Sequence, residues 1–154
     1  MLAGPMKLRL HVSLEGADDT CLFVGLRKTD AQGREVFFEG SYGFGCDMLS
    51  HGWLKLSRRE LDEARSEPFR PVLTHRAARS ISPGEVVPVE IEILPAATRL
   101  RRGEGLRLDV QGRWFHATNP LMGGSAGYEA SPNGIVVIHA GGDHDAHLLV
   151  PFLG

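Results

Sequence analysis

The sequence lacks most features of a secreted, membrane or metal-binding protein. Its 154 residues include only two cysteines, Cys21 and Cys46, too few for a disulfide framework or a zinc–thiolate site. No apolar run approaches the ~20 residues that a membrane-spanning helix needs. The first residues lack the apolar segment of a secretory signal. These absences predict a cytoplasmic protein with free thiols and no membrane contact.

An excess of charge of one sign is also missing. The chain carries 17 basic and 19 acidic residues, a formal net charge of −2, which provides no electrostatic basis for binding nucleic acid or an anionic membrane. Hydrophobic residues make up 42% and charged residues 23%, which excludes a disordered chain. We therefore expect one globular domain over residues 1–154.

The dominant pattern is hydrophobic alternation with a period of two. Residues 6–15 alternate leucine and valine with lysine, arginine, histidine and serine, and residues 86–94 repeat the pattern with valine and isoleucine. A period of two is typical of a strand that buries one face. Pro88 lies within the second segment and cannot donate a ladder hydrogen bond, so it predicts an edge strand or a bulge.

Two pairs of strands are predicted to form hairpins. Residues 20–40 contain Asp-Ala-Gln-Gly at 30–33, a turn in which the aspartate can bond its own backbone and the glycine tolerates positive φ. Residues 134–140 and 146–154 flank Gly-Gly-Asp-His-Asp, which predicts a closing hairpin.

One helix is predicted over residues 57–66. Ser57 and Glu60 have the spacing of a capping box, and Pro68 and Pro71 would end the helix. The chain after it, to residue 82, has no regular pattern and is expected to be extended.

These elements predict the fold class. With short strands at 52–57 and 105–112, the chain has about eight strands and one short helix. Many short strands separated by turn residues are typical of an all-β jelly-roll sandwich of two antiparallel sheets.

A serine-hydrolase motif is present but lacks its structural context. Residues 123–127, Gly-Gly-Ser-Ala-Gly, match G-x-S-x-G, and Asp143 or Asp145 and His144 or His147 follow in the order of an α/β-hydrolase triad. The motif needs a buried strand before its serine and a helix after it. Neither flank fits, since a proline and a glycine follow closely. We therefore expect a glycine loop, with a minimal esterase based on Ser125 as the weaker hypothesis.

The same acidic and histidine residues could in principle hold zinc. Asp143, His144, Asp145 and His147, with His139 upstream, are ligand types that zinc accepts. The group spans a predicted turn, and neighbours on a strand point to opposite faces. We expect turn residues that bond their own backbone, and neither a metal nor a cofactor.

A sugar-binding platform is a further alternative. Aromatic side chains in strand-rich proteins mostly pack in the core, and no exposed aromatic row is paired with amides and carboxylates in the sequence. Glu90 and Glu92 share one strand face and are predicted to be solvated. The candidate aromatic residues are Trp53, Trp114, Phe115 and Tyr128.

Four blocks of the sequence, in order, resemble one family. Residues 4–35, 52–71, 83–112 and 138–154 are similar to the C-terminal domain of X-prolyl dipeptidyl peptidases and cocaine-esterase-like serine hydrolases. Distinctive parts are a Gly-Trp-Leu strand followed by Ser-Arg-Arg-Glu-Leu-Asp, and a Gly-Gly turn before Leu-Leu-Val-Pro.

The resemblance implies an accessory role. In that family an α/β-hydrolase domain carries the Ser-Asp-His triad, a cap domain covers it, and the C-terminal domain is a galactose-binding-like jelly roll without triad residues. No catalytic residue is therefore assigned to this chain. The implied partner is a catalytic α/β-hydrolase domain of dipeptidyl-peptidase or carboxylic ester hydrolase type, in cis or as a separate chain. The catalytic half is missing, so we expect a domain cut from a longer protein or a truncated gene product. A homo-oligomer is compatible with the sequence.

The irregular segment 66–82 is the predicted interdomain contact. It is longer than a hairpin loop, and its candidate contact residues are Phe69, Arg70, His75 and Arg76. The alternative is a solvated crossover at the edge of the sandwich. The rival function is a free-standing β-sandwich module that binds carbohydrate or protein.

Overall fold

The structure is a computed structural model that describes residues 1–40, 45–116 and 134–153, and almost all regular structure in these ranges is β. One 3₁₀ turn, Leu56–Arg58, is the exception, and no helix in these ranges is long and apolar enough to cross a bilayer. The strands are β1 (Leu2–Glu15), β2 (Cys21–Thr29), β3 (Glu35–Val36), β4 (Phe38–Glu39), β5 (Cys46–Asp47), β6 (Ser50–Lys55), β7 (Val87–Thr98), β8 (Gly105–Gln111), β9 (Ile135–His139) and β10 (His147–Leu149).

Antiparallel pairing joins eight of these strands into one main sheet. Its order is β10-β1-β7-β6-β2-β3, with β8 also paired to β2 and β9 to β1, while β4 and β5 form a separate pair. A single residue pair, Gly52 with Ile93, connects β6 to β7. The sheet curls at this joint, so that its halves, β10-β9-β1-β7 and β6-β2-β8-β3, face each other.

The core lies between the two halves. Even-numbered residues of β1 and odd-numbered residues of β7 point inward and meet the inward residues of β2, β6 and β8. Leu8, Val12 and Ile91 are at most 2% exposed. The predicted all-β sandwich is confirmed, because period-two alternation gave each strand one apolar face to bury.

The predicted closing hairpin is wrong. β9 pairs with residues 11–15 of β1 and β10 with residues 7–9, both antiparallel, so the two run in line along one side of β1. The glycine turn exists, since Gly141 and His144 exchange backbone hydrogen bonds of 3.0 Å. The turn projects from this edge of the sheet, and the chain after it continues in the same direction as β9. β1 is long enough to pair with β9 and β10 one after the other.

The predicted helix over residues 57–66 is limited to the 3₁₀ turn. The Ser57 backbone N–H donates to the Asp19 carboxylate at 2.8 Å. Residues 60–62 pair with 72–74, where the Asp62 N–H donates to the Val72 carbonyl at 2.7 Å and the Thr74 N–H to the Glu60 carbonyl at 2.9 Å. Contacts with distant residues therefore replaced the local capping box.

Two smaller predictions are confirmed. β2 and β3 form the hairpin expected within residues 20–40, and the Asp30 carboxylate accepts hydrogen bonds from the backbone N–H groups of Gln32 and Arg34, both at 2.9 Å. Those bonds lower the pKa of Asp30. Pro88 pairs only with His11 of β1, because β6 reaches β7 no nearer than Ile93. Pro88 therefore has the edge position that its missing donor requires.

Candidate docking arm and adjacent groove

The candidate acid and base residues of the hydrolase motif lie on and beside the glycine turn at 141–144. Ser125 lies outside the described residues. The Asp145 carboxylate lies 3.0 Å from Nδ1 of His147, and this hydrogen bond lowers the pKa of Asp145. Ser13 Oγ lies 2.9 Å from Nε2 of His139, the distance of a nucleophile–base pair. Ser13 is only 7% exposed, so this contact stabilises the β1–β9 ladder and offers no nucleophile to a substrate.

Three histidines meet beside this ladder. The ring centroid of His144 lies 5.3 Å from those of both His11 and His139, because the glycine turn folds back over the outer face of β1 and β9. Within the described ranges, no three His, Cys, Asp or Glu side chains have the arrangement needed to hold a metal ion. Asp143 is exposed on the turn itself.

Residues 60–79, the docking arm, form a hydrogen-bonded loop on the outer face of β7. Besides the pairing of 60–62 with 72–74, Ser66 Oγ donates to the Asp62 carbonyl and accepts from the Val72 N–H, both at 2.9 Å. Pro71 is buried, and Leu73 packs against the core. The arm is therefore anchored by its apolar side chains and by its own backbone.

The four predicted contact residues lie on this arm. Arg70, His75 and Arg76 are exposed, and Phe69 is half-buried. His75 has φ of 52°, a left-handed conformation that residues other than glycine rarely adopt. Such a conformation persists only where the surroundings hold it.

Glu60 ties the two ends of the arm together. Its carboxylate accepts a hydrogen bond of 2.7 Å from Thr74 Oγ1 and pairs with the guanidinium of Arg79. These contacts, the threonine hydrogen bond first, lower the pKa of Glu60. The residue proposed from sequence as a helix cap thus braces the arm instead.

A groove of about 510 Å³ runs between the arm and the strands β6 and β7. It opens where these strands diverge from the Gly52–Ile93 joint. Trp53 and Leu94 form an apolar surface and remain 42% and 40% exposed. Its polar lining consists mainly of Glu90, Glu92, Arg65, Arg70 and His75.

A second, more charged cavity of about 580 Å³ lies on the other side of the arm. Glu90 lines this cavity, and its carboxylate pairs with Lys7 at 2.8 Å and Arg9 at 3.2 Å. The Glu90 side chain is only 12% exposed. The prediction that Glu90 belongs to a solvated face is therefore wrong, because cross-strand pairing with β1 and the overlying arm remove it from water.

Three of the four predicted aromatic residues come together on the outer face of β6 and β2. The Trp114 ring centroid lies 6.2 Å from that of Trp53 and 6.0 Å from that of Phe115. Tyr128 lies outside the described residues. Sequence reasoning missed His51, whose ring centroid is 5.0 Å from that of Trp114. Its position two residues before Trp53 on one strand was the available signal.

Burial changes the acidity of His51. Desolvation within the aromatic cluster lowers its pKa, the positive charge of a protonated His116 would lower it further, and the Asp47 carboxylate acts in the opposite direction. His51 is thus held neutral in the folded protein more strongly than in water.

Comparison with known proteins agrees with this architecture. Residues 1–149 match the family model of the X-Pro dipeptidyl-peptidase C-terminal non-catalytic domain. A crystal structure of a CocE/NonD family hydrolase from Staphylococcus aureus superposes with a TM-score of 0.91 at 36% identity, covering 99% of this chain and 28% of that one. A second crystal structure of a CocE/NonD family hydrolase from this organism gives a TM-score of 0.89 at 35% identity, with the same coverage.

The chain spans little more than a quarter of those hydrolase chains. A comparison with curated proteins found no significant match. The family model covers nearly the whole sequence and agrees with the resemblance noted in its four blocks. This chain therefore belongs to the family of X-Pro dipeptidyl-peptidase C-terminal non-catalytic domains.

Proposed function

We propose that this domain buttresses the catalytic α/β-hydrolase domain of a serine hydrolase and shapes access to its substrate site. The parent enzyme would be an X-Pro dipeptidyl peptidase or a carboxylic ester hydrolase, attacking its substrate through an acyl-enzyme. The family description and the 28% coverage of a hydrolase chain support this assignment.

The residues proposed to contact the catalytic domain lie on the docking arm. Arg70, His75 and Arg76 are exposed on a loop whose backbone is already hydrogen-bonded and whose base is buried. A preorganised loop loses little conformational entropy when a partner covers it. Arginine is enriched at protein interfaces, and Phe69 is half-buried beside the arginines. We infer that this surface contacts the catalytic domain, in cis or as a separate chain.

The test compares two double variants in the hydrolase that carries this domain. Arg70→Ser with Arg76→Ser removes two charges from the arm. Arg102→Ser with Arg113→Ser removes two exposed charges outside the arm and serves as the control. The arm variant is expected to weaken association of the domains by about tenfold, equal to about 1.4 kcal/mol. In a fused enzyme the same change should lower the inactivation temperature and raise KM.

Equal behaviour of the two double variants would contradict the arm as the interdomain contact. If the chain is instead a free-standing binding module, the wild-type domain will neither associate with an α/β-hydrolase domain nor alter the activity of that domain.

A further inference from the structure

The groove beside the arm contains charged groups that have no counter-charge in the part of the chain that the structure describes. Glu92 is half-buried, and its carboxylate has no ion-pair partner among the described residues. Arg65 and Arg70, which line the groove from the arm, likewise have no ion-pair partner within the described ranges. Glu90, by contrast, is neutralised by Lys7 and Arg9. A concavity that combines apolar side chains with a few polar or charged groups is typical of a ligand site.

The apolar part of the groove lies next to these charges. Trp53 and Leu94 leave about two-fifths of their surface in water, and Val72 and Leu73 line the wall beneath the arginines. A volume of about 510 Å³ falls within the range of small-molecule sites. The indole offers a flat apolar face, which suits an aliphatic or aromatic group.

The charges of the groove that have no counter-charge among the described residues indicate the charge of its ligand. Lys7 and Arg9 neutralise Glu90, so Arg65 and Arg70 outnumber the remaining Glu92 and leave the groove positive. A guanidinium binds a carboxylate through paired, charge-assisted hydrogen bonds. We propose that this groove binds an organic carboxylate with an apolar body. Arg65 and Arg70 hold the carboxylate, Trp53 and Leu94 hold the body, and Glu92 accepts a hydrogen bond from an N–H or O–H of the ligand. Arg70 also belongs to the proposed docking surface, so the binding is measured on the domain alone, without a partner over the arm.

Two sources share this chemistry, a free carboxylic acid and the carboxyl end of a peptide. The experiment therefore uses a matched set of probes with one apolar side chain. They are N-acetylleucine, its uncharged amide, and N-acetyl-alanyl-alanyl-leucine, titrated into the intact chain. The readout is the NMR signal of the Trp53 indole N–H, which the variant Trp53→Phe identifies because the chain has only two tryptophans.

N-Acetylleucine is expected to shift this signal saturably with a Kd of about 1 mM, and the amide to bind at least about tenfold more weakly. Added salt should weaken only the binding of the acids. Tighter binding of the tripeptide would indicate a peptide end, and equal binding would indicate a free acid. Either result supports the carboxylate site.

Variants assign the binding to the groove. Arg65→Gln with Arg70→Gln should weaken N-acetylleucine binding by about tenfold or more, while Arg102→Gln with Arg113→Gln should leave it unchanged. Glu92→Gln keeps a hydrogen-bond acceptor and removes a like charge, so binding should persist or tighten. Equal affinity of the wild-type chain for N-acetylleucine and for its amide would overturn the proposal. This comparison uses only the wild-type chain, so it does not depend on whether a variant folds.

Discussion

At the scale of single residues, Gly52 has a structural task that no other residue can perform. A Cβ atom placed on Gly52 would lie 2.0 Å from the carbonyl oxygen of Glu92 and 3.2 Å from the Cα of Ile93. Both neighbours are backbone atoms of β7, so they cannot move aside as a side chain could. This close approach lets β6 join β7 at the one residue pair where the sheet curls.

We therefore expect Gly52→Ala to lower the free energy of unfolding by about 3 kcal/mol, the upper range for overpacking. Gly112→Ala is the matched control, since nothing lies within 4 Å of its added Cβ. That control should stay within about 1 kcal/mol of wild type. Urea unfolding of both variants checks this. A tolerated alanine at position 52 would mean that the joint between the halves is not tight.

His51 provides a second residue-scale prediction, in its response to pH. Its pKa is lowered in the folded state by burial, while the unfolded chain has the ordinary histidine value of about 6.5. Below that value the unfolded state binds a proton that the folded state resists. Stability is therefore lost as pH falls through about 6.5 towards the lower folded-state pKa.

The variant His51→Gln should remove this part of the pH dependence. We expect the unfolding free energy of wild type to fall more steeply than that of the variant between about pH 7 and pH 5. The groups facing His51, namely Asp47, His116 and the two tryptophans, remain in both proteins. Parallel pH profiles from urea unfolding would show that His51 gains its proton equally well in both states.

At the scale of secondary-structure elements, β10 holds the last part of the chain on the sandwich through pairing with β1 and through one leucine. Leu148 lies opposite Leu8, a core residue, and packs against the core itself. Leu149 lies opposite Lys7 and points to the other face. Consecutive residues of a strand face opposite sides, so only Leu148 contributes to the sandwich interior.

Leu148→Ala should destabilise the domain by about 2 kcal/mol or more, as for truncated core leucines. Leu149→Ala should cost less than about 1 kcal/mol. Thermal unfolding of the two variants, which remove the same atoms, compares them directly. Equal melting temperatures would show that β10 does not pack on the core as a regular strand.

The arm is the element for which local sequence was least informative. Ser57 and Glu60 have the spacing of a helix cap, and the residues between them favour a helix. In the structure Asp19 takes the Ser57 N–H, and Thr74 and Arg79 take the Glu60 carboxylate. All three partners are distant in sequence, so no local pattern could have indicated them.

At the scale of the whole molecule, the long strand β1 organises the domain. It pairs with β7 on one side and with β9, β10 and the chain after β10 on the other, where the Ala3 N–H donates to the Pro151 carbonyl at 3.2 Å. Its inward residues lie at the centre of the core, while its outward Lys7 and Arg9 neutralise Glu90 beneath the arm. The same strand thus connects the core to the proposed docking face.

The sequence by itself determined the all-β class, the hairpin turn at Asp30 and the family. The class and the turn depend on alternation and turn chemistry, which act over a few neighbouring residues, and the family rests on the resemblance of four sequence blocks. Only the tertiary structure decided that β9 and β10 lie in line, that Glu90 is paired, and that Trp53, Glu92 and the arm arginines share one groove. The physical reason is that the sequence of β9 and β10 is compatible both with a hairpin between them and with separate pairing of each strand to β1. The backbone partner and the counter-charge of a residue are set by distant segments that meet only in the folded chain.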